Sequence, residues 1–348
     1  METLGGAEFA PELTYLNTSS NGLLPRRTVA AVRKLVEENA TGLRDGTGDF
    51  ESVDAARASF ARLVGVPAGR VSVGGSVSAH VGLIAASLKA GAEVLLPEGE
   101  FSSLVAPFAV RDDLKVRYAP LDALADAVGA DTTLVAFSVV QSADGRIADL
   151  DAIRAAAAAH GVRTLADASQ SAGWLPLDAG GYDYTVAGGY KFLLCPRGTS
   201  FLTVTEEAQE SLVPINAGWF AGEQPWESTY GPIKRLAGSA RRYDVMPSFL
   251  SYHGAEQSLA LLEEIGTPAA HAHSTALAAR FRAGLTGAGY EPVPGGTAIV
   301  AVPRTGDKEA VLRRANVAVS VRAGNLRAAF HLYNSTADVD RALDVLAG

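Results

Sequence analysis

The segment GYDYTVAGGYKFLL, residues 181–194, places one lysine inside a run that is otherwise mostly apolar or glycine. Its first part, Tyr184–Ala187, is typical of a strand because it contains residues that favour extended backbone. Gly188 and Gly189 follow, then Lys191, and then a second apolar run. A lysine in apolar surroundings has a lowered pKa and can act as a nucleophilic amine. The segment therefore predicts a buried strand that leads into a reactive lysine.

Apolar runs that predict strands alternate with helical patterns through the first two thirds of the chain. The predicted strands cover 71–75, 93–97, 115–119, 133–140, 162–167, 182–187 and 199–204, and the predicted helices cover 28–38, 78–88, 121–128 and 149–160. This alternation is typical of an α/β fold, in which a mostly parallel seven-stranded sheet lies between layers of helices. We expect this large domain to span residues 21–236.

The pattern changes in the last third of the chain. Residues 212–236 are rich in Gly, Pro and Trp, and they predict a long irregular loop. Predicted helices over 248–265, 275–285 and 337–346 follow, with predicted strands over 298–302, 318–321 and 326–331. We therefore expect a smaller α+β domain over 237–348, with residues 1–20 packing on it as an N-terminal segment.

The composition limits the classes of function. The 348 residues are 48% hydrophobic and 20% charged, as in an ordinary globular enzyme. The net charge of −8 and the lack of a basic cluster argue against nucleic acid or an anionic membrane as a partner. We find no pattern of a secretory signal and no apolar run long enough to span a membrane. Cys195 is the only cysteine, which excludes an intramolecular disulfide and favours a cytoplasmic location.

Three features fall at the predicted carboxyl ends of strands, where open α/β sheets bind ligands. The glycine turn at 74–77 joins a strand to a helix and predicts an anion site, although a plain tight turn explains it equally well. Its spacing fits neither a dinucleotide loop nor a nucleoside-triphosphate loop. Asp167 ends a strand, where it either pairs with a ligand or caps the next turn. Lys191 is the third feature.

An anion site, a carboxylate and an amine are the groups that pyridoxal phosphate needs for its phosphate, its ring nitrogen and its aldehyde. Other chemistry has weaker support. The chain contains no GxSxG elbow that would indicate a hydrolase. His271 and His273 lack nearby cysteine or acidic residues, so we expect them to be solvated, and we expect no metal site.

Two motifs carry a family resemblance. Residues 167–178 (DASQSAGWLPLD) and 187–202 (AGGYKFLLCPRGTSFL) resemble the core of class V aminotransferase-fold enzymes, which are fold-type I pyridoxal phosphate enzymes. These enzymes are related to cysteine desulfurases, kynureninases and isopenicillin N epimerase-like proteins. Residues 15–25 and 326–342 resemble the N-terminal and C-terminal segments of the family. The resemblance implies pyridoxal 5′-phosphate as cofactor, an α-amino acid as substrate and a homodimer.

The resemblance also implies roles at the cofactor. Lys191 would form the internal aldimine and exchange the proton of the substrate α-carbon, while Asp167 would pair with the pyridine nitrogen. Gln170 would contact the phenolic oxygen. Phe101 would stack on the ring, although an ordinary core phenylalanine is the alternative. The residues implied to lie at the phosphate are Gly75, Ser76, Val77 and Tyr190.

For the substrate, the resemblance implies Arg327 as the bidentate partner of the α-carboxylate, with Arg322 as a competitor for that role. Asn17 is implied as a second substrate-binding residue. A cysteine desulfurase needs a thiolate on the loop shortly before this arginine, and no cysteine lies there. Cys195 is expected to be a buried structural thiol. We therefore do not expect a persulfide-forming desulfurase.

The sequence departs from the family at two positions near the phosphate. Gly188 stands where relatives usually have a Ser or Thr hydroxyl, three residues before the lysine. Val245–Met246 stand where relatives have a Gly-Thr pair that reaches the phosphate of the neighbouring subunit. We therefore expect phosphate binding to depend more on backbone N–H groups and on Tyr190.

We expect an aminotransferase, because transamination needs only Lys191, Asp167 and Arg327. A β-eliminating or carbon–sulfur lyase, or an epimerase, uses the same groups and is the first alternative. A non-catalytic dimeric binding protein is the alternative from a different class.

Overall fold

Residues 1–44 and 50–347 form three sheets and the helices around them, as described by a computed structural model. The strands are β1 Thr14–Tyr15, β2 Val71–Gly74, β3 Glu93–Pro97, β4 Lys115–Ala119, β5 Thr132–Ser138, β6 Arg163–Asp167, β7 Tyr184–Gly188, β8 Ser200–Val204, β9 Ile299–Val302, β10 Val317–Ala318, β11 Ser320–Arg322 and β12 Asn325–Ala329. The α-helices are α1 Arg26–Thr41, α2 Phe50–Leu63, α3 Val77–Ser87, α4 Ser102–Ala109, α5 Leu150–His160, α6 Glu206–Gln209, α7 Phe249–Ile265, α8 Thr267–Gly287, α9 Glu309–Arg314 and α10 Thr336–Ala347. None of the helices in these ranges combines the length and the apolar character needed to cross a membrane.

The central sheet has seven strands in the order β2-β8-β7-β6-β5-β3-β4. Strands β7, β6, β5, β3 and β4 are parallel, and β8 runs antiparallel to both of its neighbours. The sheet is buried on both faces, since Val135 and Phe137 of β5 belong to one core and Leu134 and Ala136 to another. The predicted α/β class with a mostly parallel, helix-covered sheet is confirmed, and the predicted limits of all seven strands agree within two residues.

The antiparallel sheet β11-β12-β9 packs against α8 and α10 through a third core. The N-terminal segment adds to it, because β1 pairs in parallel with β10. Leu16 lies in the third core, and its backbone bonds to Ala318 and Ala329 at 2.8 Å. Gly22 then donates its N–H to the carbonyl of Tyr190 at 2.8 Å. The segment therefore connects the small sheet to the turn that carries Lys191.

Helix α7 packs on α1 and α2 beside the central sheet. The hydroxyl groups of Thr28 in α1 and Ser258 in α7 lie 2.7 Å apart, and Arg62 of α2 pairs with Glu263 of α7. The sequence places α7 in the smaller domain, although it packs on helices of the larger one. The boundaries after residues 20 and 236 stay predictions.

Two helix predictions are wrong. Over 121–128 the chain forms only a 3-10 turn at Leu121–Ala123. The segment between Pro120 and Gly129 has few residues for a stable helix, and Leu121, Leu124 and Val128 are buried in the core without forming one. Helix α8 begins at Thr267 and not at 275, with Pro268 in its first turn, a position that suits proline. The predicted strand over 318–321 is divided into β10 and β11. The sequence analysis predicts no helix at α2, α4, α6 or α9.

Candidate active site

A cavity of about 60 Å³ lies at the carboxyl ends of the parallel strands β6 and β7. Asp167 is the last residue of β6, and Lys191 follows the last residue of β7 by three positions. Because these strands are neighbours, both side chains line the same space. The lining residues are Ser76, Val77, Phe101, Ser103, Asp167, Ser169, Gly188, Tyr190 and Lys191.

Lys191 forms part of the wall of this cavity. Its side chain is buried, and Nζ lies 5.0 Å from the ring centre of Phe101 and 5.8 Å from that of Tyr190. Burial lowers the pKa of Lys191 to about 8; Asp167 opposes this shift, and nearby arginines, Arg327 first, add to it. A sizeable fraction of the amine is therefore neutral, and so nucleophilic, at mildly alkaline pH.

Asp167 presents one unused carboxylate oxygen. Its Oδ1 accepts a hydrogen bond from the backbone N–H of Ser169 at 2.8 Å, and no described residue donates to Oδ2. Burial raises the pKa of Asp167, whereas the positive charge of Lys191 and the bond from Ser169 oppose that shift. A cationic N–H of a ligand is the partner that would stabilise the charged form of this carboxylate.

The first turn of α3 lines part of the cavity. The strand β2 ends at Gly74, and Ser76 caps the helix by accepting the N–H of Ala79 at 3.3 Å. The first N–H groups of a helix have no intrahelical partner, so this end attracts an anion. Ser76 and Val77 line the cavity, whereas Gly75 is exposed beside it.

The cavity contains two serine hydroxyl groups that the sequence analysis missed, and they can replace the side-chain hydroxyl that is absent at Gly188. Ser169 accepts the N–H of Gly188 at 3.0 Å, and both Ser169 and Ser103 line the cavity. A Cβ at Gly188 would meet Ser169, Tyr190 and Val77 at 3.6 Å, an ordinary contact distance. Ser169 could have been predicted to lie at the site, because it follows Asp167 by two residues. Ser103 could not, because it lies in α4, which the sequence analysis did not predict.

Arg327 lies fully buried in β12 without an acidic partner among the described residues. Its Nη2 donates to Ser20 Oγ at 2.8 Å, its Nη1 to Ser142 Oγ at 3.0 Å, and its Nε to Ser320 Oγ at 3.1 Å. Burial, and then the charge of Arg322, lowers the pKa of Arg327 to about 9. A buried guanidinium bound only to neutral oxygens is costly, so this arrangement favours an anionic ligand.

Gln170 belongs to the surroundings of Arg327 and does not line the cavity. Its Nε2 donates to the carbonyl of Ser19 at 3.0 Å and to Ser142 Oγ at 3.1 Å. Its Oε1 is buried without a partner, as is Oδ1 of Asn17. Both free atoms are acceptors, so Gln170 can meet a phenolic oxygen in this position only if that oxygen carries a proton.

The other predicted residues lie outside the cavity. Arg322 is exposed, and Cys195 is buried, which raises the pKa of its thiol. The expectation that His271 and His273 are solvated is wrong for His273, which is buried and bonded through Nε2 to the carbonyl of Asn334 at 3.0 Å. His271 stacks on Trp174. Within 1–44 and 50–347, no three His, Cys, Asp or Glu residues cluster as metal ligands would.

Comparisons with known proteins show which sequences and folds this chain is similar to. The sequence model of the family described as aminotransferase class-V matches residues 14–291. The chain is 28% identical over 319 residues to the uncharacterized aminotransferase YcbU of Bacillus subtilis, with 86% of this chain and 84% of YcbU covered. It is 31% identical over 292 residues to a kynureninase of Deinococcus radiodurans, with 78% and 70% covered. The apo structure of a cysteine desulfurase from Thermococcus onnurineus matches with a TM-score of 0.83 over 97% of this chain and 94% of that one; at 20% identity this shows the fold.

Proposed function

We propose that this chain, which belongs to the aminotransferase class-V family of pyridoxal phosphate enzymes, transfers the amino group of an α-amino acid to an acceptor. One observation carries the proposal: Lys191 and Asp167 line one cavity, and the charge that acts on Lys191 from Arg327 belongs to a buried arginine with no acidic partner among the described residues. The first two groups suit the cofactor, and the third suits the carboxylate that all α-amino acids share.

The residues present fit pyridoxal phosphate. The unused oxygen of Asp167 suits the protonated ring nitrogen, and the amine of Lys191 suits the aldehyde. Phe101 has a partly exposed ring at the cavity, which suits stacking. The free N–H groups at the start of α3, with the hydroxyl groups around Gly188, suit the phosphate. Bound there, pyridoxal phosphate supplies an electron sink that stabilises the negative charge left on the substrate α-carbon.

The chain's own residues then have separate tasks. Arg327 binds the α-carboxylate and, being held by three serine hydroxyl groups, fixes the direction in which the α-carbon points. Lys191 takes the proton from the α-carbon on Nζ and returns it, because a pKa near 8 lets the amine both accept and donate near neutral pH. Asp167 holds a proton on the ring nitrogen through its negative charge.

Transamination is proposed because it needs no further catalytic group. β-Elimination, including carbon–sulfur lysis, and epimerisation use the same residues and are the alternatives. A persulfide-forming desulfurase has less support, because the buried Cys195 is the only cysteine in the sequence. A thiol of that kind is inert as a nucleophile.

The test is the colour of the reconstituted protein and the product it forms. We expect visible absorbance with pyridoxal phosphate, its loss in Lys191→Ala and its retention in the exposed control Lys34→Ala. Incubation with a panel of amino acids and a 2-oxo acid should give a new amino acid. Released thiol or ammonia would indicate elimination instead, and racemised substrate would indicate epimerisation. A colourless protein would leave the non-catalytic binding protein as the explanation.

We also propose that the enzyme is a cytoplasmic homodimer. Large apolar side chains are more than half exposed between residues 213 and 246, a pattern that favours a protein interface. They are Val213, Ile215, Trp226, Tyr230 and Met246. Light scattering should give twice the chain mass of 36.0 kDa, and a mass of one chain would contradict the dimer.

A further inference from the structure

The β11–β12 hairpin brings two arginines to one hydroxyl group. Ser320 lies opposite Arg327 in the register, and Arg322 lies two residues further along the same face of β11. Arg327 Nη2 donates to Ser20 Oγ at 2.8 Å, and Arg322 Nη2 donates to the same oxygen at 3.0 Å. The two nitrogens are therefore no more than 5.8 Å apart, the largest separation that these two distances allow.

Arg322 differs from Arg327 in its exposure to solvent. Arg327 is fully buried, whereas Arg322 is exposed at the tip of the hairpin, next to the turn Ala323–Gly324. Both turn residues have positive φ angles, 49° and 79°, which form a tight two-residue turn and keep Arg322 close to Ser20. The two guanidinium groups thus mark an inner and an outer end of one binding region.

Arg322 has donors to spare. Its Nη1 donates to the carbonyl of Val321 at 2.8 Å and its Nη2 to Ser20, and no acidic side chain among the described residues pairs with it. By contrast, the exposed Arg280 pairs with Asp340 at 2.7 Å. The charge of Arg322 also lowers the pKa of Lys191 and of Arg327, as expected if it faces the same region.

We infer that Arg322 binds a second anionic group at the end of the substrate side chain, so that the substrate is an α-amino acid with an acidic side chain. This inference rests on the proposed function. The α-carboxylate is attached to the reacting carbon and must lie at the buried Arg327, so the distal group of the side chain is the one that reaches the exposed guanidinium. The spacing of the two arginines lets one small dicarboxylic amino acid contact both.

Matched pairs of substrates test this inference in the holoenzyme. Aspartate and asparagine differ in charge but hardly in size, and so do glutamate and glutamine. We expect kcat/KM to favour the acidic member by about 10-fold or more, since one charge-assisted contact distinguishes the members. Cysteine sulfinate and O-phosphoserine then show whether the outer site prefers a carboxylate, a sulfinate or a phosphate.

Variants of Arg322 assign the preference to this residue. In Arg322→Gln we expect the ratio of kcat/KM for the acidic substrate to kcat/KM for the neutral one to fall close to 1. Arg322→Lys should keep part of the preference for the acidic substrate. The ratio is the right quantity, because any effect of the variant on Lys191 is shared by both substrates of a pair. The control Arg314→Gln removes the same charge from the exposed helix α9 and should keep the ratio of the unaltered protein.

A binding measurement separates recognition from turnover. Calorimetry on the holoenzyme should show succinate binding more tightly than propionate, with the difference lost in Arg322→Gln. The inference would be overturned if the ratio of kcat/KM between the acidic and the neutral substrate were near 1 in the unaltered protein, or if Arg322→Gln left that ratio unchanged. In either case amino acid turnover would still support the proposed function. A protein that gains no visible absorbance and reacts with no amino acid would overturn the proposed function, and this inference with it.

Discussion

At the scale of single residues, the amine of Lys191 lies between opposing influences. Burial and the arginines around it lower its pKa, and the carboxylate of Asp167 raises it. The two effects leave a value of about 8, below the ordinary value of a lysine. Replacing Asp167 by a neutral residue should therefore lower the pKa of Lys191, and replacing a nearby arginine by a neutral residue should raise it.

Competitive acetylation of the cofactor-free protein, followed by mass spectrometry from pH 6 to 11, measures this pKa. We expect labelling of Lys191 to reach its midpoint near pH 8, at lower pH in Asp167→Asn and at higher pH in Arg322→Gln. Labelling of the exposed Lys34 in the same samples corrects for the reagent. A midpoint near 10.5, or shifts with the opposite signs, would contradict the electrostatic account of the site.

The sequence was informative about charged residues and uninformative about hydroxyl groups. Lys191 and Asp167 stand out because a charge at the end of an apolar run needs a reason, and Arg327 follows from the family resemblance. The serines at 20 and 142, which hold Arg327, lie far from it in the chain and resemble any surface serine. Only the folded chain shows that they converge.

At the scale of secondary-structure elements, α7 supports the turn between β2 and α3 through a single hydroxyl group. Tyr252 is fully buried, and its hydroxyl accepts the N–H of Gly74 at 3.0 Å. The same oxygen lies 2.8 Å from the carbonyl of Gly74 and 2.8 Å from that of Ser200. It therefore fixes the end of β2 against β8, directly before the first turn of α3.

We expect Tyr252→Phe to lower the free energy of unfolding by roughly 1–3 kcal/mol, because buried backbone groups lose their partner. It should also raise the dissociation constant of pyridoxal phosphate several-fold, since the turn before α3 becomes less fixed. Urea denaturation and a spectral titration measure these quantities.

Tyr290→Phe is the matched control for this variant. It removes a hydroxyl group that bonds to the carbonyl of Leu346 at 3.1 Å, away from the cavity. We expect it to affect stability without affecting cofactor binding. Equal cofactor affinity in Tyr252→Phe and the unaltered protein would show that α7 does not position the turn.

Strands were easier to predict than helices in this chain. A strand of a sheet buried on both faces is a continuous apolar run, so its limits are visible in the sequence. Helix α2 was missed although Val53, Ala56 and Phe60 repeat at helical spacing and are all buried. The segment over 121–128 has a helical pattern because Leu121, Leu124 and Val128 are buried in the core, but the short segment buries them through turns and not through a helix.

At the scale of the whole molecule, His331 links the small sheet to the turn after β7. His331 follows β12, and its Nε2 lies 2.9 Å from the carbonyl oxygen of Phe192, with which it forms a hydrogen bond. Phe192 is the residue directly after Lys191. Burial lowers the pKa of His331 to about 4, so the folded protein holds this imidazole neutral. The unfolded chain would protonate it near 6.5.

This difference makes stability depend on pH in one direction. Between pH 6.5 and pH 4, His331 binds a proton in the unfolded state but not in the folded state. The stability that the neutral imidazole contributes is therefore fully present above pH 6.5 and is lost as the pH falls toward 4. We expect His331 to account for up to about 3 kcal/mol of the loss between pH 7 and pH 4. Urea denaturation at the two pH values should show a smaller loss in His331→Gln. The exposed His160→Gln should show the same loss as the unaltered protein.

The sequence predicted the strands of the seven-stranded and three-stranded sheets but not the way in which the N-terminal segment joins these two sheets. Residues 1–20 were expected to pack on the smaller domain, and β1 does pair with β10 there. Nothing in the sequence indicated that Gly22 would lie against the turn of Lys191, where a Cβ would come within 2.2 Å of the Lys191 carbonyl oxygen. A glycine at such a close approach is recognisable only once both segments are in place.

The bond between Ser20 and Arg327 joins residues 307 positions apart, which has a consequence for the order of events during synthesis. At typical translation rates the ribosome adds Arg327 roughly 15–60 s after Ser20. The strands of the central sheet, which lie between residues 71 and 204, have all been synthesised well before then. The strand that leads to Lys191 can therefore pair with its neighbours before Arg327 has been synthesised, whereas the bond between Ser20 and Arg327 can form only near the end of synthesis.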